Sequence, residues 1–262
     1  MTLCVMISCM HQQDMSIIER SNVQTNVVVI NQCDKDNIER FEFTNKKGCK
    51  CKAMFVNTTE RGLSRSRNMA IKYAEGDICL VCDDDEWLDD DYEDKILAGY
   101  SMHPEAGVIA FGIRWEERKY PVRPCRVNLV KILQISSQQI SFNKNRICDR
   151  SIKFDELMGS GTGNGGGEEN KFLYDCRKAG LEIWYEPALI ATVNKGESQW
   201  FNGFVDKYFE NHGWSARRLL GDFWGFIYCI YYVIAHMAAY KNDNTFWNAL
   251  KCELRGYNKK IS

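Results

Sequence analysis

The chain has 262 residues, of which 45% are hydrophobic and 26% are charged, the composition of a folded globular protein with a full core. Its formal net charge of −1 gives no overall attraction to nucleic acid, so we expect no nucleic-acid partner. Its twelve cysteines are scattered through apolar segments, and no basic stretch followed by a signal-length apolar segment opens the chain. These features predict a reduced, cytoplasmic protein.

Four short apolar runs of strand length occupy the first third of the chain, separated by polar segments of helical or loop character. They are residues 3–9, 27–30, 53–56 and 78–82. This alternation predicts an α/β fold with a parallel, doubly wound sheet.

A helix is predicted between the third and fourth runs, because apolar residues recur there at helical spacing. The segment 61–68, Arg-Gly-Leu-Ser-Arg-Ser-Arg-Asn, opens this helix. Arg67 and Asn68 therefore fall in its early turns. Open α/β sheets bind ligands at the carboxyl ends of their strands, and we expect both side chains beside that edge.

Three adjacent carboxylates, Asp83, Asp84 and Asp85, follow the fourth apolar run directly and are called the acidic triplet below. Adjacent carboxylates repel one another unless a cation compensates them. Mg²⁺ or Mn²⁺ would suit, with water and nucleotide phosphates completing the coordination. The alternative is an acidic turn before a helix, which describes the charges after Trp87 well. The strand-end position favours a metal site for the triplet.

A glycine-rich loop at residues 159–167 runs directly into Glu168 and Glu169. So many glycines predict neither helix nor strand but a flexible loop that delivers two carboxylates to a helix start. A carboxylate there serves as a general base, or it simply favours the positive end of the helix dipole. The residues alone leave both interpretations open.

The C-terminal region changes character, because residues 221–240 are dominated by aromatic and aliphatic side chains and contain one charged residue, Asp222. This stretch is borderline for spanning a bilayer. Its tryptophans and tyrosines, with basic residues on both sides, suit a helix at a membrane interface. The alternative is a helix that covers the domain or forms a dimer. We therefore predict a domain at 1–199 and a helical region at 200–262, with peripheral membrane contact through 217–241.

The order of these motifs resembles that of the family 2 glycosyltransferases of the GT-A fold, over residues 2–193. The landmarks are the first strand, a second strand that ends at Asp34, the segment 62–68, the run 76–85 and the Gly-Gly-Glu-Glu sequence at 166–169. The resemblance implies a Rossmann-like, mostly parallel central sheet flanked by helices, followed by a C-terminal helical extension.

The resemblance also implies roles for individual residues. Asp34 would meet the nucleotide base, and Arg67 with Asn68 would lie near the ribose and diphosphate. In the acidic triplet, Asp83 and Asp85 would be the metal-binding ends of an Asp-x-Asp motif, and Asp83 and Asp84 would contribute to the donor site. The general base would be Glu169, with Glu168 as the second candidate.

The implied activity is a metal-dependent, inverting transfer of a sugar from a nucleoside-diphosphate donor, with a UDP-sugar favoured. The acceptor would be a saccharide or lipid-linked saccharide of cell-surface polysaccharide synthesis, at the inner face of the membrane. One alternative is a nucleotidyltransferase that makes the sugar nucleotide, but the turn at residues 10–14 has no glycine for a phosphate loop. Another is an inactive membrane-associated scaffold, which would have no use for uncompensated carboxylates at a strand end.

Overall fold

The computed structural model describes residues 1–115, 120–193 and 203–260, and its centre is a mixed sheet. Its strands in chain order are β1 Leu3–Met10, β2 Asn26–Gln32, β3 Asn37–Thr44, β4 Lys50–Thr58, β5 Ile78–Asp83, β6 Glu86–Leu88, β7 Ala106–Arg114, β8 Cys125–Arg126, β9 Ile140–Asn143 and β10 Glu182–Val193.

Helices lie on both faces of this sheet and continue beyond it. They are α1 Ile17–Arg20, α2 Leu63–Tyr73, α3 Tyr92–Met102, α4 Leu129–Ile132, α5 Lys144–Asp149, α6 Glu168–Lys178, α7 Asp206–Ala235, α8 Met237–Tyr240 and α9 Phe246–Asn258, with a 3-10 turn at Ser137–Gln139.

The strand order is β3-β4-β2-β1-β5-β9-β7-β10-β6, with β8 paired to β10. Strands β4, β2, β1 and β5 run parallel, and so do β7 and β10, whereas β9 joins these two groups antiparallel to both. The predicted α/β class with a Rossmann-like central sheet and a C-terminal helical region is confirmed. The four predicted apolar runs are β1, β2, β4 and β5.

Each face of the sheet is covered by its own apolar cluster, as expected for parallel strands that are buried on both sides. On one face, Ile71 of α2 and Phe172 of α6 pack against the strands. On the other face, the strands meet Tyr92 and Ile96 of α3. This packing fixes the N-termini of α2 and α6 relative to the strand ends.

Two elements differ from the expectation. The strand β3 pairs antiparallel with β4 at the edge of the sheet, and its side chains alternate between exposed and half-buried, so it lacks the apolar run of a central strand. Residues 86–88 form the short strand β6, and the acidic helix that the sequence predicts after Trp87 begins only at Tyr92.

The helix α7 is a hairpin of two arms, because Gly221 has φ 76° and ψ −176° and interrupts it. A first arm (206–220) and a second arm (222–235) pack side by side: the rings of His212 and Tyr232 stack at 3.7 Å. In a continuous helix these residues would lie about 30 Å apart. The arms and α9 share a small apolar core. The predicted domain boundary between 199 and 200 lies outside the described residues.

Candidate active site

The acidic triplet lies at the edge where the parallel strands end. Asp83 is the last residue of β5 and stands opposite Ser8 of β1 in the parallel register. Asp84 and Asp85 form the turn that connects β5 to β6. The triplet therefore lies where open α/β sheets bind ligands.

A buried arginine joins three elements behind this edge. Arg67 of α2 is 2% exposed, and its Nη2 donates to Asp83 Oδ1 at 3.0 Å while its Nη1 donates to Glu168 Oε1 at 3.0 Å. Burial lowers the pKa of Arg67, but the charges of Asp83 and Glu168 outweigh it and raise the pKa above its ordinary value. Arg67 therefore stays charged, and we call these three residues the arginine clamp.

Two residues that sequence reasoning missed also form hydrogen bonds with Asp83. Ser137 Oγ donates to Asp83 Oδ2 at 3.0 Å, and the Asp83 N–H donates to Glu86 Oε1 at 2.7 Å. Burial and the charge of Asp83 raise the pKa of Glu86 well above its usual range. Glu86 is one of many acidic residues in this part of the sequence, and nothing in the local sequence marks Ser137. Both carboxylate oxygens of Asp83 thus have protein donors.

Asp84 and Asp85 are exposed, in contrast to Asp83. Desolvation at the strand end, followed by the charge of Asp83, raises the pKa of both carboxyls. A cation bound here would relieve this repulsion, and carboxylate oxygens are the ligands that Mg²⁺ and Mn²⁺ prefer. Within residues 1–115, 120–193 and 203–260, no three His, Cys, Asp or Glu side chains converge as a preformed metal cage. The carboxylate oxygens at this strand end fit a metal ion that takes its further ligands from phosphate and water.

Glu169 is the second residue of α6 and lies half-buried beside the clamp. Desolvation, and after it the charge of Glu168, raises the pKa of Glu169 to about 8. A carboxylate with a pKa near the working pH has the proton affinity that a general base needs. The two neighbours on α6 therefore differ: Glu168 is paired with Arg67, and Glu169 carries the perturbed pKa.

The other predicted donor residues lie around this centre. Asp34 is exposed two residues beyond β2 and forms an ion pair with Arg61 at 2.7 Å. Asn68 forms two hydrogen bonds with the backbone of Phe154: its Nδ2 donates to the carbonyl at 2.9 Å and its Oδ1 accepts from the N–H at 2.8 Å. The structure thus brings Arg67, Asp83 and Glu168 into direct contact, while Asp34 and Asn68 bind other partners.

The glycine-rich loop is held on two sides, whereas the sequence predicted a flexible one. The Leu63 N–H at the start of α2 donates to Ser160 O at 3.0 Å. From the first arm of α7, Ser215 Oγ donates to Gly166 O at 2.9 Å, and Arg218 forms two hydrogen bonds with Asp155, of 2.5 and 2.8 Å. The C-terminal helices therefore support the segment that carries Glu168 and Glu169.

The contact between this loop and the first arm makes Gly165 sensitive to substitution. A Cβ at Gly165 would overlap Ser215 Oγ and the carbonyl of Asn211, whereas a Cβ at Gly166 would meet nothing closer than 4.0 Å. We expect Gly165→Ala to lower the free energy of unfolding by roughly 1–3 kcal/mol, because overpacking forces the loop off the helix. Urea denaturation measures this, with Gly166→Ala as the matched control. Equal stability of the two variants would contradict the contact.

The mostly parallel central sheet flanked by helices, followed by a C-terminal helical region, is the architecture of the GT-A fold. The model of Glycosyl transferase family 2 matches residues 15–166, more than half of the chain, and the chain belongs to this family. It is a glycosyltransferase. No curated protein matches it in sequence.

Solved structures share the fold at low sequence identity. S. aureus TarS 1-349 in complex with UDP-GlcNAc has a TM-score of 0.61 and 17% identity, over 93% of this chain and 74% of that chain. The mannosyltransferase PcManGT from Pyrobaculum calidifontis, in complex with GDP-Man and Mn²⁺, has a TM-score of 0.57 and 12% identity, over 98% of this chain and 88% of that chain.

Proposed function

We propose that this glycosyltransferase moves a sugar from a nucleoside-diphosphate donor, with a UDP-sugar favoured, to an acceptor hydroxyl with inversion at the anomeric carbon. The observation that carries the proposal is that two carboxylates of the site are paired with an arginine and two are not. Arg67 forms ion pairs with Asp83 and Glu168. Among the described residues, by contrast, Asp85 and Glu169 have no side-chain partner. These two carboxylates are therefore available for donor and acceptor chemistry.

The donor would lie along the strand ends. Asp34 beyond β2 is proposed to contact the base, and Asp84 and Asp85 to face the diphosphate, with Arg67 holding Asp83 in place behind them. The shared fold of TarS, solved with UDP-GlcNAc, and of PcManGT, solved with GDP-Man and Mn²⁺, supports a nucleotide-sugar donor and a divalent metal. Asn68 would act indirectly, by fixing the segment at Phe154.

A metal ion, Mn²⁺ or Mg²⁺, would be held by Asp85 and by Asp83, whose two oxygens accept hydrogen bonds from Arg67 and Ser137 and keep further lone pairs for a metal. When bound, it supplies positive charge that neutralises the leaving diphosphate. The protein contributes the fixed position of the strand end, which is held by the arginine clamp and by a 2.7 Å hydrogen bond from the Asp83 N–H to Glu86.

The acceptor proton is assigned to Glu169. An acceptor hydroxyl oxygen attacks the anomeric carbon, its proton passes to the Glu169 carboxylate, and the bond from that carbon to the diphosphate oxygen breaks with its electron pair on the leaving group. Attack opposite to the leaving group inverts the anomeric centre. Glu168 would position this base by tying the start of α6 to Arg67.

The acceptor is proposed to be a saccharide or lipid-linked saccharide of cell-surface polysaccharide synthesis. The enzyme would act in the cytoplasm, with peripheral contact at the inner face of the membrane through residues 217–241. Membership of the glycosyltransferase family favours this reaction over a nucleotidyltransferase or an inactive scaffold.

Asp85→Asn tests the donor site. We expect a fall of roughly 10²-fold or more in nucleotide release from the preferred donor, because the leaving group loses its charge stabilisation. The assay follows nucleotide release from a panel of UDP-sugars and GDP-sugars with Mn²⁺, with a mixed saccharide acceptor pool. Asp94→Asn is the matched control, since Asp94 is an exposed aspartate of α3 in a surface ion pair with Lys47. Equal activity of the two variants would remove Asp85 from the site.

A further inference from the structure

The second arm of α7 carries an exposed apolar surface, which we call the aromatic face. Its members are Phe223, Trp224, Ile227, Tyr231 and Ile234, and their exposed fractions range from 44% to 68%. They recur at intervals of three and four residues, so they lie on one side of the helix. Monomeric soluble proteins rarely expose a contiguous apolar surface of this kind, which marks an interaction site.

The opposite side of the second arm is buried against the rest of the protein. Cys229 and Val233 are fully buried, and Tyr232 is buried against His212 of the first arm. The approach is close at Gly225, where an added Cβ would lie 2.8 Å from Arg217 Cα. The second arm is therefore a fixed helix with one side packed on the protein and one side exposed. The exposed side is not part of the core that the described residues form.

The hairpin shortens the helix that is available for a membrane span. By length and composition, the 30 residues of α7 are long and apolar enough to cross a bilayer. The reversal at Gly221, however, leaves a second arm of 14 residues, about 21 Å long, against a hydrocarbon core of about 30 Å. The first arm contacts the glycine-rich loop through Ser215 and the preceding residue Asp155 through Arg218, and so packs on the catalytic domain.

The charge of the C-terminal helical region that carries the aromatic face matches an anionic lipid surface. Residues 203–260 contain eight lysines and arginines and five aspartates and glutamates, although the whole chain has a net charge of −1. Lys241, Lys251 and Lys260 are exposed, while residues 223–240 contain no Lys, Arg, Asp or Glu. An uncharged aromatic stretch in a region with a positive charge balance is typical of helices that lie in the interface of anionic membranes.

We propose that the aromatic face docks this enzyme on an anionic lipid surface, with the second arm lying in the plane of the interface. The first arm contacts both this helix and the glycine-rich loop, so docking would fix the orientation of the Glu169 side of the site relative to the membrane. The acceptor would then be a lipid-linked saccharide at that surface. This last step rests on the proposed transferase function, whereas the docking itself does not.

Vesicle flotation of the full chain tests the docking. We compare vesicles of phosphatidylcholine alone with vesicles that also contain phosphatidylglycerol. Wild type is expected to float with the anionic vesicles, and the double variant Trp224→Glu, Ile227→Glu to bind them at least about tenfold more weakly, because it places charge in the apolar layer. Met102→Glu is the control, because Met102 is an exposed apolar residue at the end of α3. Near-identical circular dichroism spectra would show that the variants fold.

Two results would overturn the proposal. In one, folded wild type fails to float with either kind of vesicle. In the other, wild type sediments as a dimer that the double variant converts to monomer, without vesicle binding, and the face is then an interface between two copies of this chain. Glu169→Gln separates docking from catalysis, since this variant should float like wild type even though its turnover falls by the factor expected for loss of the general base.

Discussion

Arg67→Met is expected to lower the free energy of unfolding by about 3–5 kcal/mol, the largest stability effect of any single substitution considered for this chain. The substitution removes the guanidinium that lies 3.0 Å from each of two carboxylates, Asp83 and Glu168, and leaves their charges uncompensated. Glu168 is itself buried, so it has little access to water in compensation. Urea denaturation at neutral pH measures the loss.

A second arginine of the same helix provides the control. Arg65 is half-exposed and pairs with Glu156 at 3.5 Å, so Arg65→Met should cost no more than about 1 kcal/mol. Adding Glu168→Gln to Arg67→Met should recover part of the loss, because one uncompensated charge is removed. If Arg67→Met is as mild as Arg65→Met, the clamp does not hold the three elements together.

Glu169→Gln is expected to lower kcat by about 10²- to 10⁴-fold while leaving donor binding intact, because the acceptor hydroxyl loses its proton acceptor. The wild-type enzyme should show a matching pH dependence. With the pKa of Glu169 near 8 in the free enzyme, the carboxylate fraction falls about tenfold per pH unit below that value. The ratio kcat/KM should therefore rise with pH up to about 8 and then level off.

An acidic residue further along the same helix is the matched control for this variant. Asp175 pairs with Lys171 on α6, and Asp175→Asn should retain both the rate and its pH dependence. Donor affinity is measured by calorimetry for all three proteins. If the Glu169→Gln enzyme keeps its turnover, or keeps the rise in kcat/KM toward pH 8, the general base is another residue.

The central strands could be predicted because their apolar runs are buried on both faces, which the sequence displays directly. Strand β3 was missed for the opposite reason: as an edge strand it alternates charged and apolar residues and carries no continuous run. The reversal at Gly221 was missed because a single glycine in an apolar segment is compatible with an uninterrupted helix.

In the site, the sequence placed Arg67 and Asp83 at one edge of the sheet and Glu168 at a helix start, but it indicated no pairing among them. Arg67 and Glu168 are 101 positions apart, and only the packing of α2 and α6 on one face of the sheet brings them together. The contact of Ser137 with Asp83 has no local signal at all. For that reason the sequence treated Asp83 and Asp85 alike, whereas the structure gives both oxygens of Asp83 to protein donors.

The central claim is that the acidic triplet forms a metal-dependent nucleotide-sugar site, and calorimetric titration of UDP into the wild-type protein tests it most directly. The titration is carried out with and without Mn²⁺, and repeated with GDP. The account predicts nucleotide binding that requires the metal, with UDP preferred. A folded protein that binds neither nucleotide in either condition would contradict it.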